Sequence, residues 1–382
     1  MKLPIVICLI VVVSGLYPAF SEPRVTNQVI LRQLVSEHVR FNVVQVVENL
    51  EHPWAIKFLP DGRGLITERS GRLWIKDGNR LYQVTGLPEV RAGGQGGLLD
   101  VIAHPDFENN HSIYLSYSAE YGEGVGTRVA RAVLKERELH DVSVIFEMSP
   151  PGSGPVHFGS RFAFDRDGYL YVTFGERGDR HLSQRLDTHH GKVIRIRDDG
   201  SVPEDNPFAG RDQAHPEIYT YGHRNPQGII YDANTGLIWT HEHGPRGGDT
   251  VNILRAGRNY GWPLATHGRE YHGPRIGTIP ENLEHVENPI IHWTPSIAPC
   301  GFVLVRNSQF PEWEGNMLAG ALVQQHIRRL VVEGEQIIHQ EILLKDMVGR
   351  IRDINVSPDG HIWFVTDARD GGLYRLDRAV AP

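Results

Sequence analysis

The stretch PWAIKFLPDGRGLITERSGRLWI, Pro53 to Ile75, decides the fold. It holds a short apolar strand, a turn at Pro60-Asp61-Gly62 and a second apolar strand. Apolar side chains in IKFLPDG alternate with period two, which is strand spacing. Asp-Gly supplies the positive φ angles that a tight hairpin requires. The same unit returns five times: from Gly96 (GGLLDVIAHPDFENNHSIYLSYS), Gly159 (GSRFAFDRDGYLYVTFGE), Asn225 (NPQGIIYDANTGLIWTHEHG), Ala298 (APCGFVLVRNSQFPEWEGNMLAGAL) and Arg350 (RIRDINVSPDGHIWFVTDA). One such hairpin cannot bury both of its faces, whereas neighbours stacked in a ring can. Four-stranded blades of about 40 to 50 residues are the usual propeller period. The expected fold is therefore all-β, a six-bladed β-propeller of four-stranded antiparallel blades. The strand near FNVVQVVENL, Phe41 to Leu50, is placed to share a blade with GGLYRLDR at the C-terminus.

The chain has 382 residues, 40% hydrophobic and 22% charged, with 41 glycines and 24 prolines, an ordinary globular composition rich in turns. Its net charge of −7 and the lack of any basic run argue against a nucleic-acid role. Residues 1–21 have the shape of a secretory signal: Lys2, an apolar run to Leu16, then small and turn residues at Ala19–Ser21. A periplasmic or secreted location follows. With no second apolar segment, no stable membrane insertion is expected once the leader is removed. Cys8 would leave with the leader, so Cys300 would have no partner for an internal disulfide. Residues 22–40 read as an N-terminal extension, with a short helix expected over Thr26–Val39. Residues 41–382 read as the propeller. A monomer is expected, because no apolar surface repeat stands out.

A propeller gathers function on one face, so polar clusters at one loop position of every unit carry the chemistry. In RAGGQGGLLDV, the glycine pairs allow close backbone approach to a ligand and Gln95 is the side chain suited to a heterocycle edge. In GPVHFGSRF, His157 precedes a first strand, and Glu176 ends the strand paired with it. Pairing across Asp167-Gly168 would bring them together as a general base and its orienter. In YGHRNPQG, Arg224 offers a fork for a carboxylate, while Asn225 and Gln227 suit ring carbonyls and nitrogens. In HEHGPRGGDTVN, the His spacing does not match a zinc helix; Gly244-Pro245 with Asp249 suits a hard cation such as calcium. In GRIRDINV, Arg350 and Arg352 alternate and require an anion between them. Each cluster also has a plain structural reading: a flexible loop, a surface imidazole, a turn that caps neighbouring blades, or arginines paired with Asp353 or Asp370. Together they suit a polyanionic aromatic cofactor lying over the channel.

GGQGGLLDV, HFGSRFAFDRDGYLYVTFGE, YGHRNPQG, EHGPRGGD, NYGWPLATHG and RIRD, in that order from about His52 to Arg375, closely resemble the aldose sugar dehydrogenases of the soluble quinoprotein glucose dehydrogenase family. The resemblance implies pyrroloquinoline quinone (PQQ) flat on the top face. It also implies His157 as the base for the sugar's anomeric hydroxyl, with Glu176 as its acid partner and hydride passing to the quinone. Gln95, Arg224, Asn225, Gln227, Arg350 and Arg352 then match cofactor contacts. Gly244 and Pro245 match backbone ligands of a Ca2+ ion, with Asp249 close by. The implied partners are an aldose and an unidentified electron acceptor. One departure stands out: where the family commonly has lysine in GALK, this chain has Val323 in GALVQQHIRRL, which predicts weaker PQQ binding or an altered potential. The loop from Gly268 to Pro295 is expected to shape the sugar site. The alternatives are a calcium-dependent propeller lactonase or hydrolase, which would not need three rim arginines, and a propeller that only binds.

Overall fold

A computed structural model describes residues 21–379, in which six antiparallel sheets stand around a common axis. Blade 1 spans residues 53–83, blade 2 98–147, blade 3 162–221, blade 4 226–293 and blade 5 299–343. Blade 6 is built from both ends of the chain. Its inner three strands lie within 351–378, and Arg40–Leu50 pairs with Gly371–Arg378 as the fourth. All six repeats of the sequence start at or within three residues of a blade's innermost strand. Their turns carry the expected left-handed glycines, such as Gly62 at φ 87° and Gly360 at φ 83°.

The segment 22–40 departs from expectation. It is not a helix outside the ring. Arg24–Val35 is a strand, and it adds to Arg40–Leu50 as a fifth, outermost strand of blade 6. Three register shifts interrupt that pairing, and Asn27 and Gln33 have positive φ. Each bulge resets the inward–outward alternation. The apolar residues Val29, Ile30, Leu31 and Leu34 therefore lose the period of two and take on a helical look. The signal-like residues 1–20 lie outside the described residues.

Apolar side chains collect between blades and not within them. Six clusters fill the six interfaces. Trp54 and Leu65 of blade 1 meet Leu99 and Leu115 of blade 2, for example, and Trp363 of blade 6 meets Ile56 and Trp74 of blade 1. Buried polar groups then tie the innermost strands together. The hydroxyl of Thr67 donates to the Leu99 carbonyl, that of Ser116 to Ser160 and that of Thr173 to Pro226, each in the next blade or its leading turn. The Phe162 N–H donates to Asp100 across the same junction as Ser116, and the Ile56 N–H donates to Asp353 across the junction of blades 6 and 1.

The channel itself is plugged. Arg161, 2% exposed, lies 3.0 Å from Asp353 and 3.6 Å from Asp100, with its guanidinium 3.8 Å from the Trp54 ring centre. Lys57 adds a second cation 3.2 Å from Asp353. Paired buried charges of this kind hold a unique arrangement but tolerate no missing member.

Candidate active site

In an antiparallel blade, the start of the first strand and the end of the second lie at the same end of the ring. His157, Arg224, Asn225, Arg350 and Gln95 precede first strands or lie on the turns leading to them, and Gln227 and Arg352 open them. Glu176, Gly244 and Val323 follow second strands. Fold topology alone thus brings these residues to one face. All of them but Glu176, which stands behind His157, line two contiguous cavities of about 640 and 250 Å³ that share Gln95, His243 and Ala298.

His157 sits on the wall of the larger cavity with φ 56°. Its Nδ1 is 2.7 Å from Glu176 Oε2, which also accepts the Gly178 N–H at 2.6 Å. Burial pushes the Glu176 carboxyl up, but the hydrogen bond and charge of His157 outweigh it and hold the group below its usual range. An ionised Glu176 accepts from Nδ1–H, which leaves the Nε2 lone pair of the imidazole free. The loop is fixed from two sides. Gln95 Oε1 accepts the His157 backbone N–H at 2.8 Å. Arg177 donates to the carbonyls of Val156 and Gly154 and lies 3.3 Å over the Phe158 ring centre. It has no carboxylate in these contacts, and burial lowers its pKa to about 10.

Arg224 donates through Nη1 to the Gly244 carbonyl at 2.7 Å, and its backbone N–H donates to Glu242. Asn225 and Gln227 hydrogen-bond each other and the Gly159 backbone. Arg350 and Arg352 both reach Asp367, at 3.5 and 2.5 Å, not Asp353 or Asp370. Asp353 faces the channel plug instead. Three guanidinium Nε–H groups on residues lining these cavities, those of Arg69, Arg224 and Arg352, are buried without a hydrogen-bond partner among the described residues. Unpartnered buried donors on cations are costly, and an anion accepting from them removes the cost.

Two expectations need correction. Three of the four glycines of GGQGG serve the protein's own packing: a Cβ at Gly94 would come within 2.4 Å of the Pro155 carbonyl oxygen, one at Gly96 within 2.7 Å of the Phe158 ring, and one at Gly97 within 2.0 Å of the Arg69 carbonyl oxygen, whereas Gly93 has nothing within 4 Å. Asp249 is fully buried with both oxygens taken, by the N–H groups of Gly244, Ile297 and Ala298 and by the Ser296 hydroxyl. It shapes the loop that presents Gly244 and Pro245 and offers no free oxygen to an ion. The HEH triplet is likewise structural: His241 and His243 bond the carbonyls of Gly301 and Pro299 in blade 5.

Sequence reading missed Arg69, His243 and Asp367. Each is the residue just after a blade's second strand, as Leu322 is in blade 5, and all four line the smaller cavity. Setting the six repeats in register at that position would have found them.

The matching family is described as glucose/sorbosone dehydrogenase, and its model covers residues 50–375. The aldose sugar dehydrogenase YliI of Escherichia coli is 40% identical over 342 residues, covering 88% of this chain and 92% of the relative. This chain belongs to the glucose/sorbosone dehydrogenase family. It is an oxidoreductase acting on sugars. Quinoprotein glucose dehydrogenase B of Acinetobacter calcoaceticus is 31% identical over 424 residues, 89% of this chain and 88% of the relative. The PQQ-bound form of aldose sugar dehydrogenase from Streptomyces coelicolor superposes with a TM-score of 0.72 at 25% identity, covering 93% of this chain and 98% of that one. The six-bladed ring is thus shared with structures of this family. The channel carboxylates that a propeller hydrolase would offer to a metal are here ion-paired with Arg161 and Lys57.

Proposed function

We propose that the protein oxidises aldoses at the anomeric carbon to the lactone, with PQQ as the bound oxidant and calcium beside it, in the periplasm or outside the cell. The observation that carries this reading is the His157–Glu176 pair, with His157 on the wall of the larger of two joined cavities, whose arginines together hold three unpartnered N–H donors. A planar tricarboxylate quinone matches those donors, and both a quinoprotein and a PQQ-bound enzyme are among its relatives.

Arg69, Arg224, Arg350 and Arg352 would hold the carboxylates, with Asn225, Gln227 and the Gln95 amide N–H group on the ring edges. The carbonyls of Gly244 and Pro245 would face calcium, a cation that takes oxygen ligands. When bound, PQQ supplies a two-electron acceptor for the C1 hydride. The chain supplies the proton's destination. Nε2 of His157 takes the anomeric hydroxyl proton as the C1–H bond breaks, and ionised Glu176 stabilises the imidazolium that results. Gln95 and Arg177 keep the ring in place through that change.

Glucose and an artificial dye added to protein reconstituted with PQQ and Ca2+ should give dye reduction. His157→Gln should lower kcat by about 10² to 10⁴-fold, as expected for loss of a general base, without abolishing PQQ binding. Chelation before reconstitution should remove activity, and Ca2+ should restore it. No turnover and no quinone absorbance change in the wild type would reject the reading. Sugar-lactone hydrolysis without PQQ would favour the hydrolase. Fractionation of the expressing cells tests the location.

A further inference from the structure

At the mouth of the larger cavity the backbone pairs Arg246 with Arg269, and Arg269 in turn with Arg275, in two antiparallel bridges. The Arg246 N–H donates to the Arg269 carbonyl at 3.2 Å. Residues opposed in this way carry their side chains on one side, close together, and like charges directly opposite are destabilising. All three arginines are exposed, and none is ion-paired among the described residues. The carboxylate next to Arg269 in the chain, Glu270, is held by Arg180 in a two-point pair at 2.6 and 3.2 Å. Arg246 and Arg269 line the same cavity as His157, and that lining contains no aspartate or glutamate. A chain of net charge −7 has therefore gathered uncompensated positive charge where substrate enters.

We propose that this arginine ladder is an anion subsite for the acidic group of a negatively charged aldose, a uronate or an aldose phosphate, whose anomeric end lies at His157. The inference rests on the aldose-oxidation reading above and names the substrate class for it. An anion between Arg246 and Arg269 removes their mutual repulsion and accepts charge-assisted hydrogen bonds. The inner arginines around Asp367 face a different part of the cavity, so cofactor and substrate anions have separate partners.

The test uses the PQQ- and calcium-loaded enzyme with d-glucose, d-glucuronate, d-glucose 6-phosphate and d-glucosamine at low and high salt. Expected is a kcat/KM for glucuronate about tenfold above glucose and further above glucosamine, shrinking as salt screens the charges. Glucose 6-phosphate shows whether phosphate serves as well as carboxylate. Arg246→Gln with Arg269→Gln should bring the glucuronate-to-glucose ratio near one, and Arg269→Glu should turn the preference toward glucosamine. The PQQ dissociation constant of each variant, read by tryptophan quenching, shows that it folds. Equal kcat/KM across the charge series, or a preference that survives in the double variant, overturns the proposal. So does a loss of PQQ affinity with an unchanged ratio, which would assign the ladder to the cofactor. Failure of every sugar, glucose included, rejects the oxidation reading itself.

Discussion

Val323 is 59% exposed on the wall of the larger cavity. It puts an apolar isopropyl group where the sequence resemblance implies a lysine. Lysine there would reach the same anion as the arginines and add one charge-assisted hydrogen bond, worth about 1.5 kcal/mol or more. Val323→Lys should therefore tighten PQQ binding at least about tenfold, measured by fluorescence titration; an unchanged constant would mean that the valine costs nothing. Single residues were legible in the sequence where a hairpin fixes their geometry. His157 and Glu176 flank a two-stranded hairpin, so their 2.7 Å contact follows from pairing. Arg69 was not legible, because a lone arginine after a strand has no motif. Asp249 was misread because a carboxylate next to a glycine-proline turn looks alike whether it binds an ion or the turn's own N–H groups.

At the scale of elements, the two N-terminal strands differ in what they bury. Arg24–Val35 has no fully buried residue. Arg40–Leu50 buries Phe41, Val43, Val44, Val46, Val47 and Leu50. At roughly 1.5 to 3 kcal/mol per buried apolar side chain, that second strand carries on the order of 10 kcal/mol, which is comparable to the whole stability of a domain. A chain starting at Ser36 should fold with a lowered Tm, and one starting at Glu51 should yield no cooperative unfolding transition by calorimetry. The hairpin units were readable because Asp-Gly turns and alternation agree. The outermost strand was not, since its bulges erase the alternation on which such reading depends.

On the scale of the whole molecule, the two ends of the chain close the ring within blade 6, and Asp367 sits where that blade meets blade 1. It holds His52 at 3.0 Å and Arg352 at 2.5 Å, while the His52 N–H donates to the Ala368 carbonyl. Burial raises the Asp367 carboxyl, but the Arg352 charge and the His52 hydrogen bond win and hold it well below its ordinary 3.8. A carboxyl with a depressed folded pKa contributes stability that is present in full above 3.8 and is lost as pH falls below it. Asp367→Asn in the protein without PQQ should lose about 3 kcal/mol near neutral pH, the usual cost of leaving a buried partner charge unpaired. The gap in Tm between variant and wild type should narrow as pH is taken from 5 to about 2.5. A gap that does not change with pH would show that the pair does not couple blade closure to ionisation.

The plug of Arg161, Asp100, Asp353 and Lys57 has one more consequence. A hollow ring has two doors; this one is a cup. With its floor sealed by paired charges, everything that visits the top-face cavity arrives and departs over the same lip. If the protein works as proposed, sugar and electron acceptor would have to take turns at that opening, and an oxidised product that lingered there would delay both the next sugar and the acceptor.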